Sequence, residues 1–179
     1  MSKVLVISTS LHAFSNSESL AKEFALGAEA AGNEVEMLSL KDKQLAFCQG
    51  CLACQKIGHC VINDYARIVA DKALQADVLC FATPLYYYEM SRQMKTLLDR
   101  LNPLFNLNYK FRKVYMLISA AEDEPAITRR AVNGLKGWIE CFPSASYAGS
   151  VFAGGVTAGG EIACHEALKR AYNLGKKII

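Results

Sequence analysis

Four of the chain's seven cysteines fall within thirteen residues, as Cys48, Cys51, Cys54 and Cys60. Two intervals of three and one of six let a short loop wrap four thiolates around a metal cluster, the ligand set that iron-sulfur units use. Zinc ligation and metal-free thiols compete with that use. His59 lies inside the run, but four cysteines leave it no necessary role. No secretory leader or membrane span is expected and a cytoplasmic location is, so a disulfide framework is the weaker account.

A second group precedes the first helical pattern. Positions 8 to 19 carry five serines, Thr9 and Asn16. Hydroxyls together with free N–H groups at a helix start can hold a phosphate without lysine, and ordinary capping is the alternative. A third group is Thr83-Pro84-Leu85-Tyr86-Tyr87-Tyr88-Glu89-Met90-Ser91. Three consecutive tyrosines cannot all face one core, so proline beside them favours a rigid, partly exposed platform for a planar ring. An aromatic dimer contact is the other use. The fourth group, Ser119-Ala120-Ala121-Glu122-Asp123-Glu124, is small at its start, where a flat ligand could approach backbone. Its acidic end would repel a phosphate, which therefore belongs with the first serines. Glu122 and Asp123 also read as solvated residues at a helix start.

These groups need a scaffold. Lys3 to Ser8 and Val78 to Ala82 are continuous apolar runs, as in strands buried on both faces, and Thr83-Pro84 is expected to end the latter. Val35 to Leu40, Lys113 to Ser119 and Tyr147 to Phe152 supply three more strands. Helical spacing joins Leu20, Phe24, Ala25 and Ala28, then Ile68, Val69, Ala73 and Ala76 behind an Asp64 cap. Met94, Leu97, Leu98 and Leu101 line a third helix behind Ser91. A fourth spans roughly Ala126 to Cys141, and a last one carries Ala163, Ala167, Ala171, Leu174 and Ile178.

Strands alternating with amphipathic helices predict a doubly wound α/β/α sandwich around a five-stranded parallel sheet. Ligands in such sheets bind beyond the carboxyl ends of the strands, so the loops after strands one, three, four and five are the places to search. With 52% hydrophobic and 21% charged residues the chain has material for a sizeable core, and disorder is a poor reading. One domain, residues 1–179 with a cysteine-rich loop at 44–62, is expected. Twenty basic residues against seventeen acidic ones, scattered along the chain, point away from nucleic acid as a partner. Cys80, Cys141 and Cys164 read as small hydrophobes in buried or helix-packing positions.

The loops together resemble the NAD(P)H-dependent FMN reductase branch of the flavodoxin-like superfamily, which includes iron-sulfur flavoproteins. Ser10, Asn16 and Ser17 match that family's phosphate loop, with Ser15 in place of its glycine and His12 in place of its arginine. Pro84, Leu85 and Tyr86 match its Pro-x-Tyr segment. Gln93, Met94, Lys95, Leu98, Asp99 and Arg100 are similar to its Lys-x-Phe-x-Asp-Arg helix, where Asp99 and Arg100 read as local ion pairs. Cys60 to Asp64 is similar to a Cys-x-Ile-x-Asp stretch found in flavin-only relatives, and the cysteine spacing matches the iron-sulfur ones.

The resemblance implies a flavodoxin-like strand order of 2-1-3-4-5 and FMN as cofactor. Ser8, Ser10, His12, Ser15, Asn16 and Ser17 would surround the phosphate. Pro84, Leu85, Tyr86 and Tyr87 would lie along the ring, with Ser119, Ala120, Ala121 and Glu122 bordering it. Electrons would pass from NADH or NADPH through flavin N5 to a small acceptor such as flavin or quinone, with no catalytic side chain required of His12, His59 or His165. A homodimer or homotetramer is implied. The alternatives are an electron-transfer flavoprotein with a 4Fe-4S cluster on Cys48, Cys51, Cys54 and Cys60, a quinone or azo-dye reductase, and a non-catalytic flavin-binding redox sensor.

Overall fold

Successive side chains of a strand point to opposite faces of its sheet, so a strand covered by helices on both sides is apolar at every position. The computed structural model describes residues 1–179 and shows this pattern in β1 (Lys3–Ser8). Val4 and Val6 enter one core while Leu5 and Ile7 enter the other. In β3 (Val78–Tyr86), Val78, Cys80 and Ala82 face the first core, and Leu79 and Phe81 the second. With β2 (Glu34–Ser39), β5 (Lys113–Ser119) and β6 (Ser146–Ala153) they form a parallel sheet in the order β2-β1-β3-β5-β6. Leaving aside the two-residue β4 (Glu89–Met90), this is the expected flavodoxin-like order.

Helices α1 (Asn16–Ala30) and α6 (Ala167–Gly175) cover one face, through Leu20, Phe24, Ala167 and Ala171. Their backbones touch: a Cβ on Gly27 would stand 2.0 Å from the Tyr172 carbonyl oxygen, and one on Gly175 2.1 Å from that of Phe24. The opposite face takes α3 (Tyr65–Gln75), α4 (Arg92–Arg100) and α5 (Arg129–Glu140), through Val69, Leu97 and Leu135. A short α2 (Cys54–Ile57) belongs to the cysteine loop.

Pro84 does not end the third strand. The β1 pairing stops at Ser8 and Ala82, so Pro84 has only β5 beside it, opposite Ser119, and such an edge position tolerates a missing N–H. The strand continues to Tyr86 and turns back into β4. The expected helix from Ala126 starts instead as a 3-10 turn, Pro125–Thr128, with α5 following. Another 3-10 turn, Glu161–Cys164, leaves Ala163 outside α6. Cys80 is buried as expected, but Cys141 and Cys164 are exposed, because both sit where a helical segment ends.

Candidate functional site

Sheet order reverses between β1 and β3, where the chain leaves one way for β2 and returns the other way. The loops after β1, β3, β5 and β6 therefore diverge around a crevice, and a cleft of about 290 Å³ opens there. Its walls are Ser10, His12, Ser15 and Asn16 from the first loop, Pro84, Leu85 and Tyr86 from the second, and Ser119, Ala120 and Ala121 from the third. Val156, Thr157 and Gly159 complete it from the loop after β6.

The first loop combines open donors with a fixed backbone. Asn16 and Ser17 head α1, and their N–H groups meet no acceptor in the protein. Ser15 caps the helix, its Oγ accepting from the Glu18 N–H, and shares a hydrogen bond of 3.1 Å with the Ser17 hydroxyl. Ser10 Oγ accepts from the His12 N–H and keeps its own proton to give. His12 is the one cleft-wall side chain able to carry positive charge. An anion here would meet N–H dipoles and hydroxyls at a helix start, so these residues fit a phosphate.

Asn16 has a different task. Its Nδ2 donates to the Ala158 carbonyl at 2.9 Å, and its Oδ1 accepts from the N–H groups of Gly160 and Ile162. The amide thus pins the loop after β6, leaving only the Asn16 backbone for a ligand. That loop lies tight against its neighbours: a Cβ on Gly159 would come 2.8 Å from the Ala13 carbonyl oxygen, and one on Gly154 2.5 Å from Asp123 Cα. Glu161 Oε2 accepts from the Thr157 and Ala158 N–H groups and holds the turn closed. The sequence marked the loop after the fifth strand as a place to search but singled out none of these wall residues.

Under the cleft, a buried network joins the first two loops. Thr9 Oγ1 donates to the Ala82 carbonyl at 2.9 Å and meets Ser91 Oγ at 3.2 Å. Thr83 Oγ1 accepts from the Ser91 N–H and donates to the Pro84 carbonyl. Ser91 also caps α4 through the Met94 N–H, as its position predicted. Hydroxyls in strand-end positions gave no sequence signal for this role.

Four expected site residues stand off the cleft wall. Ser8 is wholly buried beneath the loop, its hydroxyl without a partner, and Ser17 is buried behind Ser15. Tyr87 is 97% exposed at the hairpin tip. Glu122 points along the rim, where its Oε1 accepts from the Tyr88 hydroxyl at 2.9 Å. That bond, and then the carboxylate's charge, push the Tyr88 phenol above its ordinary range.

The cysteines surround a separate cavity of about 530 Å³, which shares no wall residue with the cleft. Cys48, Cys51, Cys54 and Cys60 all line it, facing Leu98, Phe105, Trp138 and Phe142. Left-handed backbone at Gly50, Leu52 and Gly58 folds the loop around it. The Asn102 Nδ2 donates to Cys54 Sγ at 3.1 Å, and the Gly50 N–H to Cys48 Sγ at 3.5 Å. No three Cys, His, Asp or Glu side chains gather closely enough in this structure to hold a metal ion. Five thiols line the cavity, the four clustered ones and Cys141, and two of them accept N–H···S bonds.

Asp64 caps α3 through the Ala66 N–H, as predicted, but the ion pairs of α4 differ from expectation. Asp99 pairs locally with Lys95, whereas Arg100 reaches across the fold to Asp64. Burial alone would raise the Asp64 carboxyl; the Arg100 and Ala46 hydrogen bonds outweigh it and hold the group below its usual range. For Arg100, burial works against the charge, and the hydrogen bonds to Asp64 lead the effects that raise the group above its ordinary value.

Comparison with known proteins extends this geometry. An iron-sulfur flavoprotein of Methanocaldococcus jannaschii is 36% identical over 102 residues, covering 57% of this chain and 53% of its own. One from Archaeoglobus fulgidus is 30% identical over 156 residues, covering 84% of this chain and 66% of its own. The chain thus spans between about half and two thirds of the length of those relatives. Among solved structures, the NAD(P)H:quinone oxidoreductase of Methanothermobacter marburgensis superposes with a TM-score of 0.75 at 17% identity, over 98% of each chain. An azoreductase of Bacillus anthracis gives 0.72 at 17% identity, over 99% of this chain and 100% of that one. These two likenesses carry the fold. Residues 2–155, which hold every strand of the sheet and every wall of the cleft except Val156, Thr157 and Gly159, match NADPH-dependent FMN reductases, and the chain belongs to that family.

Proposed function

We propose that the chain is a single-domain FMN-dependent NAD(P)H oxidoreductase that passes electrons to a small acceptor such as a flavin or quinone. One observation carries the reading: a hydroxyl-rich helix start, a proline-tyrosine segment and a run of small residues converge on a single cleft. Bound FMN would supply the two-electron chemistry, accepting hydride from NADH or NADPH and returning the electrons to the acceptor.

The chain's own residues bind and orient. Ser10, Ser15 and the N–H groups of Asn16 and Ser17 would hold the phosphate, with His12 beside them. Pro84, Leu85 and Tyr86 would lie along the ring, and Ser119, Ala120 and Ala121 present backbone to its polar edge because their side chains are too small to intervene. Ser8 supports the loop from below, and Tyr87 and Glu122 stand at the rim. Phe14, 85% exposed, and Tyr87 are large rings beside the cleft, an arrangement that supports contact with a second copy of the chain. The test is anaerobic mixing of FMN-loaded protein with each nicotinamide. Bleaching of the flavin band with NADH or NADPH supports the reductase; no bleaching with either removes it and leaves the non-catalytic flavin-binding sensor.

A second reading has its own observation. The four clustered thiols among the five that line one cavity favour a 4Fe-4S cluster on Cys48, Cys51, Cys54 and Cys60, and the relatives named iron-sulfur flavoproteins support it. Such a cluster would supply a one-electron link to an external donor or acceptor. Near four iron and four sulfide per chain in anaerobically purified protein is the expected result. Their absence after reconstitution leaves the thiols metal-free.

A further inference from the structure

Arg100 is the largest fully buried side chain in the molecule, 1% exposed, and it stands at the end of α4 against the cysteine loop. Its Nη1 donates to the Ala46 carbonyl and to Asp64 Oδ2, each at 2.7 Å. Its Nη2 donates to the Ile62 carbonyl at 3.1 Å and to Asp64 Oδ1 at 2.8 Å. Asp64 Oδ2 in turn accepts from the Ala46 N–H at 2.8 Å. One guanidinium therefore grips backbone at residues 46 and 62, the two ends of the segment that carries all four clustered cysteines.

The remaining donor is unused. Arg100 Nε is buried without a partner, and Arg100 lines the same cavity as the four thiols. A buried N–H without an acceptor is costly, and five cysteines are among the groups that line this cavity. Arginine suits both tasks because its planar fork engages two groups at once while Nε faces a third direction, which lysine cannot reproduce.

We propose that Arg100 is the positioning residue of the cysteine loop, tying its two ends together through Asp64 and the Ala46 and Ile62 carbonyls and keeping Nε–H for a sulfur acceptor in the cavity. The tie rests on the chain's own contacts alone; the sulfur acceptor rests on the cluster reading above.

The experiment compares full-length, iron-free wild type with Arg100→Lys and Asp64→Asn by iodoacetamide labelling, read peptide by peptide. Buried Cys54 reports the loop and Cys80, in the core, reports global opening. Losing a charge-assisted hydrogen bond in the tie should speed Cys54 labelling roughly tenfold or more while Cys80 stays protected. Unchanged Cys54 labelling in both variants, with Cys80 protected, overturns the proposal. If Cys80 reacts in step with Cys54 in both, amide exchange in wild type decides: the Ala46 N–H must exchange as slowly as core amides, and free exchange there overturns the tie. Iron loading then separates the readings. Wild type that takes up no iron removes the cluster and leaves the tie standing. In loaded protein Arg100→Lys should shift the cluster's reduction potential, and an unchanged potential removes the Nε–H···S role.

Discussion

The Tyr88 hydroxyl donates to Glu122 Oε1 at 2.9 Å, joining the hairpin after β3 to the loop after β5 across the rim of the cleft. Both loops line that cleft through neighbouring residues, so the bond bridges its rim. Glu122→Gln should return the raised Tyr88 phenol toward its ordinary ionisation range, observable by NMR of ring-labelled tyrosine. Because the pair is solvated, the loss in FMN retention should stay below about fivefold.

Tyr87 and Tyr88 occupy the two-residue turn of that hairpin with φ of 50° and 65°. Such a turn favours asparagine and glycine, and left-handed backbone costs a bulky residue on the order of 1 kcal/mol. Keeping an exposed aromatic there against this cost points to a use for the ring. Tyr87→Asn should raise the melting temperature by roughly 2–4 °C while weakening flavin retention or self-association. A melting temperature that falls would place the ring in the fold's support instead.

Two glycines with opposite surroundings test the helix packing. Gly27→Ala puts a methyl group onto the Tyr172 carbonyl at the α1–α6 contact and should cost about 1–3 kcal/mol or more. Gly137→Ala on the exposed face of α5 meets nothing within 4 Å and should stabilise by about 0.5–1 kcal/mol. Urea unfolding of the two variants reads both signs.

The Asp64–Arg100 pair adds a pH dependence. Arg100 and the Ala46 N–H hold the Asp64 carboxyl below its unfolded value, so its contribution is complete above about pH 4. It is lost as the pH falls through the still lower folded value. Asp64→Asn leaves a buried guanidinium without its counter-charge and should cost about 3–5 kcal/mol at neutral pH. The variant should also lose part of the acid-side slope of stability against pH.

The sheet was legible because β1 and β3 are apolar on both faces, a pattern that needs no knowledge of what packs against them. The loops after β1, β3 and β5 were legible as site walls because each follows a strand in a doubly wound order. Partnerships across the fold were not. Arg100 lies 36 residues from Asp64, and nothing local distinguishes it from Asp99, which does pair along its own helix. Asn16 reads as a ligand-binding side chain until the loop at 158–162 takes both ends of its amide. Pro84 reads as a strand end because the sequence does not show that β1 has already stopped pairing there. Thr157 and Gly159 lie beyond a glycine-rich turn whose path only the packed structure gives.

The central claim is that a phosphate-bearing flavin sits with its phosphate at the start of α1. Titrating flavin-free protein with FMN and with riboflavin tests it, since the two differ only in the phosphate. Charge-assisted hydrogen bonds from the Asn16 and Ser17 N–H groups and the Ser10 hydroxyl, each worth roughly 1.5–3 kcal/mol, predict FMN binding at least about tenfold tighter. Equal affinity for the two flavins, or binding of neither, would contradict the account.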